Sequence, residues 1–218
     1  TKSSKLKFPI LLRPSYVLGG RMMEKMANLD DVQDYIDQNY WALENNVILI
    51  DEFLQNAKEV DVDVLRDSKG NTMIAGIMEH IEEAGIHSGD SACSIPPFSL
   101  SDNIISDIKK FSISLVNELK ILGLMNIQYA IKDDEIFILE ANPRASRTIP
   151  FLAKAIGIPF IKIAAELIVG KTLTEEYQNF DNNTLPYFAI KEAVFPFNKF
   201  PNTDVIPVSY THLTLPTR

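Results

Sequence analysis

A single cysteine, Cys93, stands among the 218 residues, so no disulfide can close within the chain and a reducing compartment is expected. Clustered basic residues are also missing. With 29 acids against 21 lysines and arginines the formal charge is −8, which argues against non-specific binding to nucleic acid. The same balance leaves room for a nucleotide, because a few local cations and a metal ion suffice to neutralise phosphates. No apolar run approaches bilayer thickness and no signal-peptide pattern opens the chain, so a soluble cytoplasmic protein without membrane association is expected. Internal repeats and low-complexity tracts are absent. What is there, 46% hydrophobic and 23% charged, is an ordinary globular composition able to fill a core.

The first strand-like run, Phe8 to Leu12, comes almost at once with no earlier element to pair with it, and so reads as part of a longer protein. "VLGGRMMEKM" marks a turn at its two glycines. In "LDDVQDYIDQNYWALE", Leu29, Val32, Tyr35 and Ile36 recur at helical spacing, with acids at the start. Three strand candidates follow: "VILIDEFL"; "AKEVDVDVLRD", alternating through Val60, Val62 and Val64; and "NTMIAGIMEHI", returning after the turn "DSKGN". Alternation predicts one buried and one wet face, with Glu59, Asp61 and Asp63 pointing outward, and for Asp61 and Asp63 a solvated face is the expectation. "EEAGIHSGDSACSIPP" reads as a long loop.

"SLSDNIISDIKKFSISLVNELKILG" predicts a helix whose stripe of Ile104, Ile108, Phe111, Leu115, Leu119 and Leu122 faces the core. Ser99 with Asp102 can cap it, and Gly123 can end it. "TIPFLAKAIG" and "IPFIKIAAELIVG" are helix-like, each ended by glycine, and "PYFAIKEAVFPF" is strand-like. The last dozen residues, "PVSYTHLTLPTR" (207–218), lack this texture and read as a non-native tail, leaving residues 1–204 as one domain. Strands and helices alternate without a βαβ rhythm, so the class is α+β with largely antiparallel pairing.

Chemistry concentrates in "IQYAIKDDEIFILEANPRASRT", an apolar hairpin that ends in a glutamate, an asparagine and two arginines. With a two-residue loop at Asp133 and Asp134, Gln128 faces Leu139 and Glu140 lies on the opposite side of the sheet. With Glu135 in a three-residue loop, Gln128 faces Glu140 instead. In that register Gln128 and Glu140, with Asn142 just beyond, would suit a hard cation that takes oxygen ligands. The plainer alternative is a polar rim in which Glu140 pairs with Arg144. Arg144 and Arg147 beside such a cluster make sense if a polyphosphate shares the site. An arginine fork also matches carboxylate or carbamate oxygens. Neither Cys93 nor His87 shows a setting that would make it a nucleophile or a general base.

"RPSYVLGGRMME", "AKEVDVDVL", "IMEHIEEAGIHSGDSACSIPP", "GLMNIQYAIKDDEIFILEANPRASRT" and "VFPFNKFP" together resemble the large subunit of carbamoyl-phosphate synthase, from about Leu6 to Asp204. "RPSYVLGGRMME" and "EHIEEAGIHSGDSAC" look like the second of that family's two ATP-grasp halves, the one that phosphorylates carbamate. The resemblance implies an ATP-grasp fold with the N-terminal lobe incomplete, and a ligase using ATP with magnesium or manganese. In the complete enzyme it implies a glutaminase partner, and arginine or pyrimidine biosynthesis as the setting. It places Arg13 on ATP phosphate, Glu52 and Leu54 at the adenine, Glu59 on the ribose hydroxyls, and Gly85, Ile86, His87 and Ser88 in a nucleotide-contacting loop. It makes Gln128, Glu140 and Asn142 the metal ligands, the first two also touching ATP, and puts Arg144 and Arg147 in the phosphoryl-transfer site. Glu52 departs from a frequent histidine and Ala141 from other apolar residues. Rival expectations are another ATP-grasp ligase, such as a carboxylase subunit or peptide-type ligase, and an inert nucleotide-binding piece.

Overall fold

The computed structural model describes residues 7–15, 22–43, 47–84, 91–181 and 185–192. The chain divides into two compact units, Thr1–Gln55 and Asn56–Arg218, and each is taken by itself.

In the first unit, β1 (Ile10–Pro14) lies between β2 (Glu24–Met26) and β3 (Ile48–Glu52) in a three-stranded antiparallel sheet. The strand expected from Phe8 thus begins two residues later and finds its partners downstream. Helix α1 (Leu29–Leu43) starts behind Asn28, whose Oδ1 accepts from the amides of Asp30 (2.8 Å) and Asp31 (3.0 Å). Asp31 reciprocates, its Oδ2 accepting from the amide of Ala27 at 2.7 Å, so two orphan donors are satisfied at once. Tyr35, Ile10, Leu12 and Met26 form a small core, with Val32 and Ile36 against it as their spacing predicts. Leu29, expected on that stripe, is exposed.

The second unit is built on a six-stranded sheet of order β8-β7-β4-β5-β6-β9, antiparallel at every pair. Its strands are β4 (Lys58–Arg66), β5 (Thr72–Glu83), β6 (Cys93–Ile95), β7 (Gly123–Lys132), β8 (Glu135–Asn142) and β9 (Ala189–Lys191). The predicted turn between β4 and β5 is organised by Asp67. Its Oδ1 accepts from the amides of Lys69 and Asn71, both at 2.9 Å, while Gly70 takes a left-handed φ of 91°. Within the expected "EEAGIHSGDSACSIPP" loop, Glu82 and Glu83 belong to β5 and Cys93–Ile95 form β6. Residues 85–90 of it lie outside the described residues.

One face of the sheet, through Val60, Val62, Val64, Met125, Ile127 and Tyr129, packs on helix α2 (Asp102–Glu118). The helix is rotated from its predicted phase: Ile104, Ile105, Ile108, Ser112 and Val116 face inward, whereas Phe111, Leu119 and Leu122 are exposed. The polar Ser112 is tolerated there because its hydroxyl bonds the Tyr129 hydroxyl at 2.8 Å. Ser101, not Ser99, caps α2, accepting from the amide of Ile104. Ser99 is occupied elsewhere, donating to buried Glu79 and accepting from Lys58 Nζ at 2.6 Å. Gly123 does not end the helix but opens β7, at φ 92°.

The other face is covered at one end by α3 (Ile149–Ile156) and α4 (Phe160–Ile168), the two predicted late helices; the short helix α5 (Glu175–Gln178) follows. Gly76 permits the close approach of α3, since a Cβ there would sit 2.4 Å from Leu152 Cδ2. Of the described part of the predicted late strand, Ala189–Lys191 is strand, and 193–218, with the suspected tail, lies outside the described residues.

The largest departure from the sequence reading concerns this second face. Asp61 and Asp63 are not solvated: they are 1% and 0% exposed. β4 is interior to the sheet, flanked by β5 and β7, and both carboxylates are met by donors far away in sequence. Period-2 alternation on an interior strand separates apolar from polar here, not dry from wet.

Candidate functional site: the hairpin lip and its buried floor

The hairpin β7–β8 turns through Asp133 and Asp134 with φ of 50° and 63°, a two-residue turn of the kind whose twist suits antiparallel strands. Register then runs regularly from Lys132↔Glu135 to Tyr129↔Ile138, and there it breaks. Leu139 is an extra residue, a β-bulge, and the next pairs are Gln128↔Glu140 and Asn126↔Asn142. Neither predicted loop arrangement is realised: the loop has two residues, yet Gln128 still faces Glu140, because the bulge rather than the turn supplies the shift. Directly opposed residues share a face of the sheet, and so do residues two apart along regular strand. Gln128, Glu140 and Asn142 therefore stand together, in the same rows as Asp61, Asn126 and Asp63.

Glu140 is exposed, and Gln128 and Asn142 are half-buried. Among the described residues Glu140 makes no ion pair with Arg144, so the plainer rim does not form. Arg144 is exposed, its Nη1 donating to the carbonyl of Ala145 at 3.2 Å and its amide to the carbonyl of Asn142 at 2.8 Å. Arg147 is also exposed. One carboxylate and two amide oxygens on one face form a hard-donor set that fits a divalent cation also liganded by phosphate oxygens or water. A metal site made only of protein His, Cys, Asp and Glu is not found among the described residues.

Beside the lip, on the same face of the sheet, lies a floor of buried polar groups. His80 Nε2 meets Asp61 Oδ2 at 3.0 Å, and Ser91 Oγ meets His80 Nδ1 at 2.9 Å. The neutral tautomer that donates from Nε2 and accepts at Nδ1 satisfies both contacts. Ser91 is 0% exposed and His80 3%, so this Ser–His–Asp array lies in the interior, where it links β4, β5 and Ser91. Asn126 Nδ2 donates to Asp61 Oδ1 (3.2 Å) and Asp63 Oδ1 (3.3 Å). Ser146 Oγ and Thr148 Oγ1 donate to Asp63 Oδ2 at 2.8 and 2.9 Å. Burial pushes the Asp63 carboxyl up to about 7, and the neighbouring Asp61 charge adds to the rise against the pull of these hydrogen bonds. Glu59, on the same face of β4, is 4% exposed with His80 Nδ1 3.9 Å away. Cys93 is buried, and burial pushes its thiol up to about 12, as an inert core cysteine requires.

Other sequence-predicted residues lie elsewhere. Arg13, Glu52 and Leu54 belong to the first unit. Arg13 pairs with Asp51 at 3.0 Å, while its Nε is buried without a hydrogen-bond partner among the described residues. Glu52 is exposed and accepts from the amide of Lys7 at 3.5 Å; Leu54 is half-buried. Gly85, Ile86, His87 and Ser88 lie outside the described residues. Sequence reasoning missed the floor. Its available signals were two aspartates inside one valine-rich strand and two hydroxyl residues bracketing Arg147.

The fold has solved counterparts. A biotin carboxylase–β-γ-ATP complex from Campylobacter jejuni superposes with a TM-score of 0.69 at 16% identity, over 86% of this chain and 42% of that one. The biotin carboxylase domain of 2-oxoglutarate carboxylase from Hydrogenobacter thermophilus, solved with MgADP, ADP and bicarbonate, gives 0.67 at 16% identity over the same shares. At such identity the likeness carries the fold alone, and that fold is ATP-grasp. Sequence narrows the class. Residues 1–176 match the family model "Carbamoyl-phosphate synthase L chain, ATP binding domain", and the chain belongs to that family. It is 51% identical over 204 residues to the carbamoyl phosphate synthase large chain of Synechocystis sp. and 49% identical over 221 residues to that of Thermotoga neapolitana. These matches cover 94% and 92% of this chain but 19% and 20% of the relatives, so the chain spans about a fifth of their length. Among the described residues no helix is long and apolar enough to cross a membrane.

Proposed function

We propose that this chain is the metal- and nucleotide-holding part of the carbamate-phosphorylating half of a carbamoyl-phosphate synthase large chain. Its resemblance to the second half rests on "RPSYVLGGRMME" and "EHIEEAGIHSGDSAC". The observation that carries the chemistry is the bulge at Leu139, which brings Glu140 opposite Gln128 on the face shared with Asn142. In the reaction a carbamate oxygen bonds to the γ-phosphorus of ATP while the bond from that phosphorus to the β–γ bridging oxygen breaks, giving carbamoyl phosphate and ADP. Such transfers need positioning and charge neutralisation more than covalent help.

Gln128, Glu140 and Asn142 would hold the cation, and magnesium or manganese there supplies positive charge to the phosphates. Arg144 and Arg147, exposed beside the lip, steady charge on the migrating phosphoryl group and the carbamate. Glu59 accepts the ribose hydroxyls, Glu52 and Leu54 meet the adenine, and Gly85, Ile86, His87 and Ser88 line the nucleotide. Arg13, with an unspent Nε, contacts phosphate. The complete enzyme would be cytoplasmic, would draw ammonia from a glutaminase subunit or domain, and would serve arginine or pyrimidine biosynthesis.

The test is Glu140→Gln in the complete enzyme, assayed as ATP formation from MgADP and carbamoyl phosphate. The rate should fall by at least about 100-fold, with an unchanged circular dichroism spectrum and melting temperature. Full ATP formation by that variant would overturn the assignment.

A further inference from the structure

The proposed roles leave the most deeply buried carboxylate of the polar face without a task. Asp63 sits midway along β4, 0% exposed, where its desolvation has to be offset by the donors gathered around it. Both strong donors to its Oδ2 come from one short segment: Ser146 Oγ at 2.8 Å and Thr148 Oγ1 at 2.9 Å. Those two residues bracket Arg147, and Ser146 is two residues from Arg144. The segment between β8 and α3 has no strand pairing of its own; beyond the backbone bond from Arg144 to Asn142, side-chain bonds to Asp63 tie it to the sheet.

The clamp continues into α3. Ser146 Oγ accepts from the amides of Thr148 (3.2 Å) and Ile149 (3.1 Å), at the first turn of the helix. Opposite Asp63 on β5 is Gly76, which lets Leu152 of α3 lie against the sheet. Asp63 therefore joins a rigid interior strand to the arginine-bearing segment on either side of Arg147, beginning two residues beyond Arg144. We propose that Asp63 is a positioning residue for phosphoryl transfer, holding Arg144 and Arg147 in place through Ser146 and Thr148. This role stands only if the arginines act as proposed above.

The experiment uses the complete enzyme, assayed for ATP formation from MgADP and carbamoyl phosphate, with Asp63→Asn, Arg144→Lys, their combination and Ser146→Ala. Asp63→Asn should lower kcat by about 10- to 100-fold while KM for MgADP stays within about 2-fold, with kcat taken per folded enzyme counted by MgADP binding, because an unfolded fraction also lowers apparent kcat at unchanged KM. Combined with Arg144→Lys, it should add little beyond the larger single effect, because both changes disable the same group. Ser146→Ala should give a smaller loss of kcat with the same failure of additivity, and it carries the test should Asp63→Asn not fold. An unchanged kcat in both Asp63→Asn and Ser146→Ala would overturn the positioning role. So would multiplicative losses in the combination. Full activity in Arg144→Lys and in Glu140→Gln would instead sink the proposed function itself.

Discussion

The two faces of strand β4 are equally buried and chemically opposite. Val60, Val62 and Val64 are all 0% exposed against α2, while Asp61 and Asp63, on the alternate positions, are 1% and 0% exposed against Asn126, His80 and two hydroxyls. The apolar face gains stability from area removed from water. The polar face gains little by that route, because desolvated carboxylates must be compensated bond by bond. What the polar face offers is fixed direction. Its hydrogen bonds tie β4, β5, β7 and the segment after β8 into one floor beside Gln128 and Glu140, on the same face of the sheet. Stability is drawn from one side of a single strand and the geometry of the candidate site from the other.

Changes confined to the apolar face should therefore reduce stability without touching the chemistry. Ile127→Ala, one residue from Gln128 but 0% exposed on the α2 side, should lower unfolding free energy by about 2–5 kcal/mol in urea denaturation. Nucleotide affinity of the folded fraction should be unaffected. A loss of both together would blur the separation of faces.

The polar face should reveal itself through pH. Asp63 has its carboxyl raised from the ordinary 3.8 to about 7, so between those values the folded chain binds a proton that the unfolded chain has released. Stability of the nucleotide-free protein should then fall as pH rises from about 4 to 7, and Asp63→Asn should flatten that slope. Asp67 runs the other way. Burial works to raise its carboxyl, but hydrogen bonds from Asn71, Leu173 and Lys69 outweigh burial and hold it low, so its contribution is lost only as pH falls below the ordinary carboxylate range. Urea titrations of both proteins across this range check the sign. A slope unchanged by Asp63→Asn would mean that the polar face carries no such strain.

The smallest effect concerns a hydroxyl pair inside the apolar face. Ser112→Ala leaves the Tyr129 hydroxyl without its 2.8 Å partner and should cost about 1 kcal/mol, read as a lowered melting temperature.

Much of this architecture was legible in the sequence. The strand-turn-strand of "AKEVDVDVLRDSKGNTMIAGIMEHI", the hairpin after it, two glycine-terminated helices and the antiparallel α+β class all follow from periodicity and turn residues. The lip residues were legible as a set, because Glu140, Asn142, Arg144 and Arg147 crowd one strand end. The bulge was not, since Leu139 sits in the unbroken apolar run "IFIL" and nothing local marks it as the extra residue. Nor were the fates of Asp61 and Asp63. Their partners, Asn126, Ser146, Thr148 and His80, arrive from 19 to 85 residues away, and only the assembled sheet turns an apparently wet face into a sealed one. Helix α2 shows the same limit at smaller scale. Phe111, Leu119 and Leu122 fit a stripe as well as Ile105 and Val116 do, and packing against β4 chose the phase.

The central claim is that register at Leu139 decides whether the oxygen donors meet. Because Leu139 is the unpaired residue, deleting it leaves Gln128 opposite Glu140, whereas inserting an alanine after it moves Glu140 to the other face of the sheet. Magnesium-dependent ATP formation from ADP and carbamoyl phosphate, measured on both variants of the complete enzyme, is the direct test. Substantial activity in the deletion and none in the insertion is the expected result; equal activity in the two would contradict it.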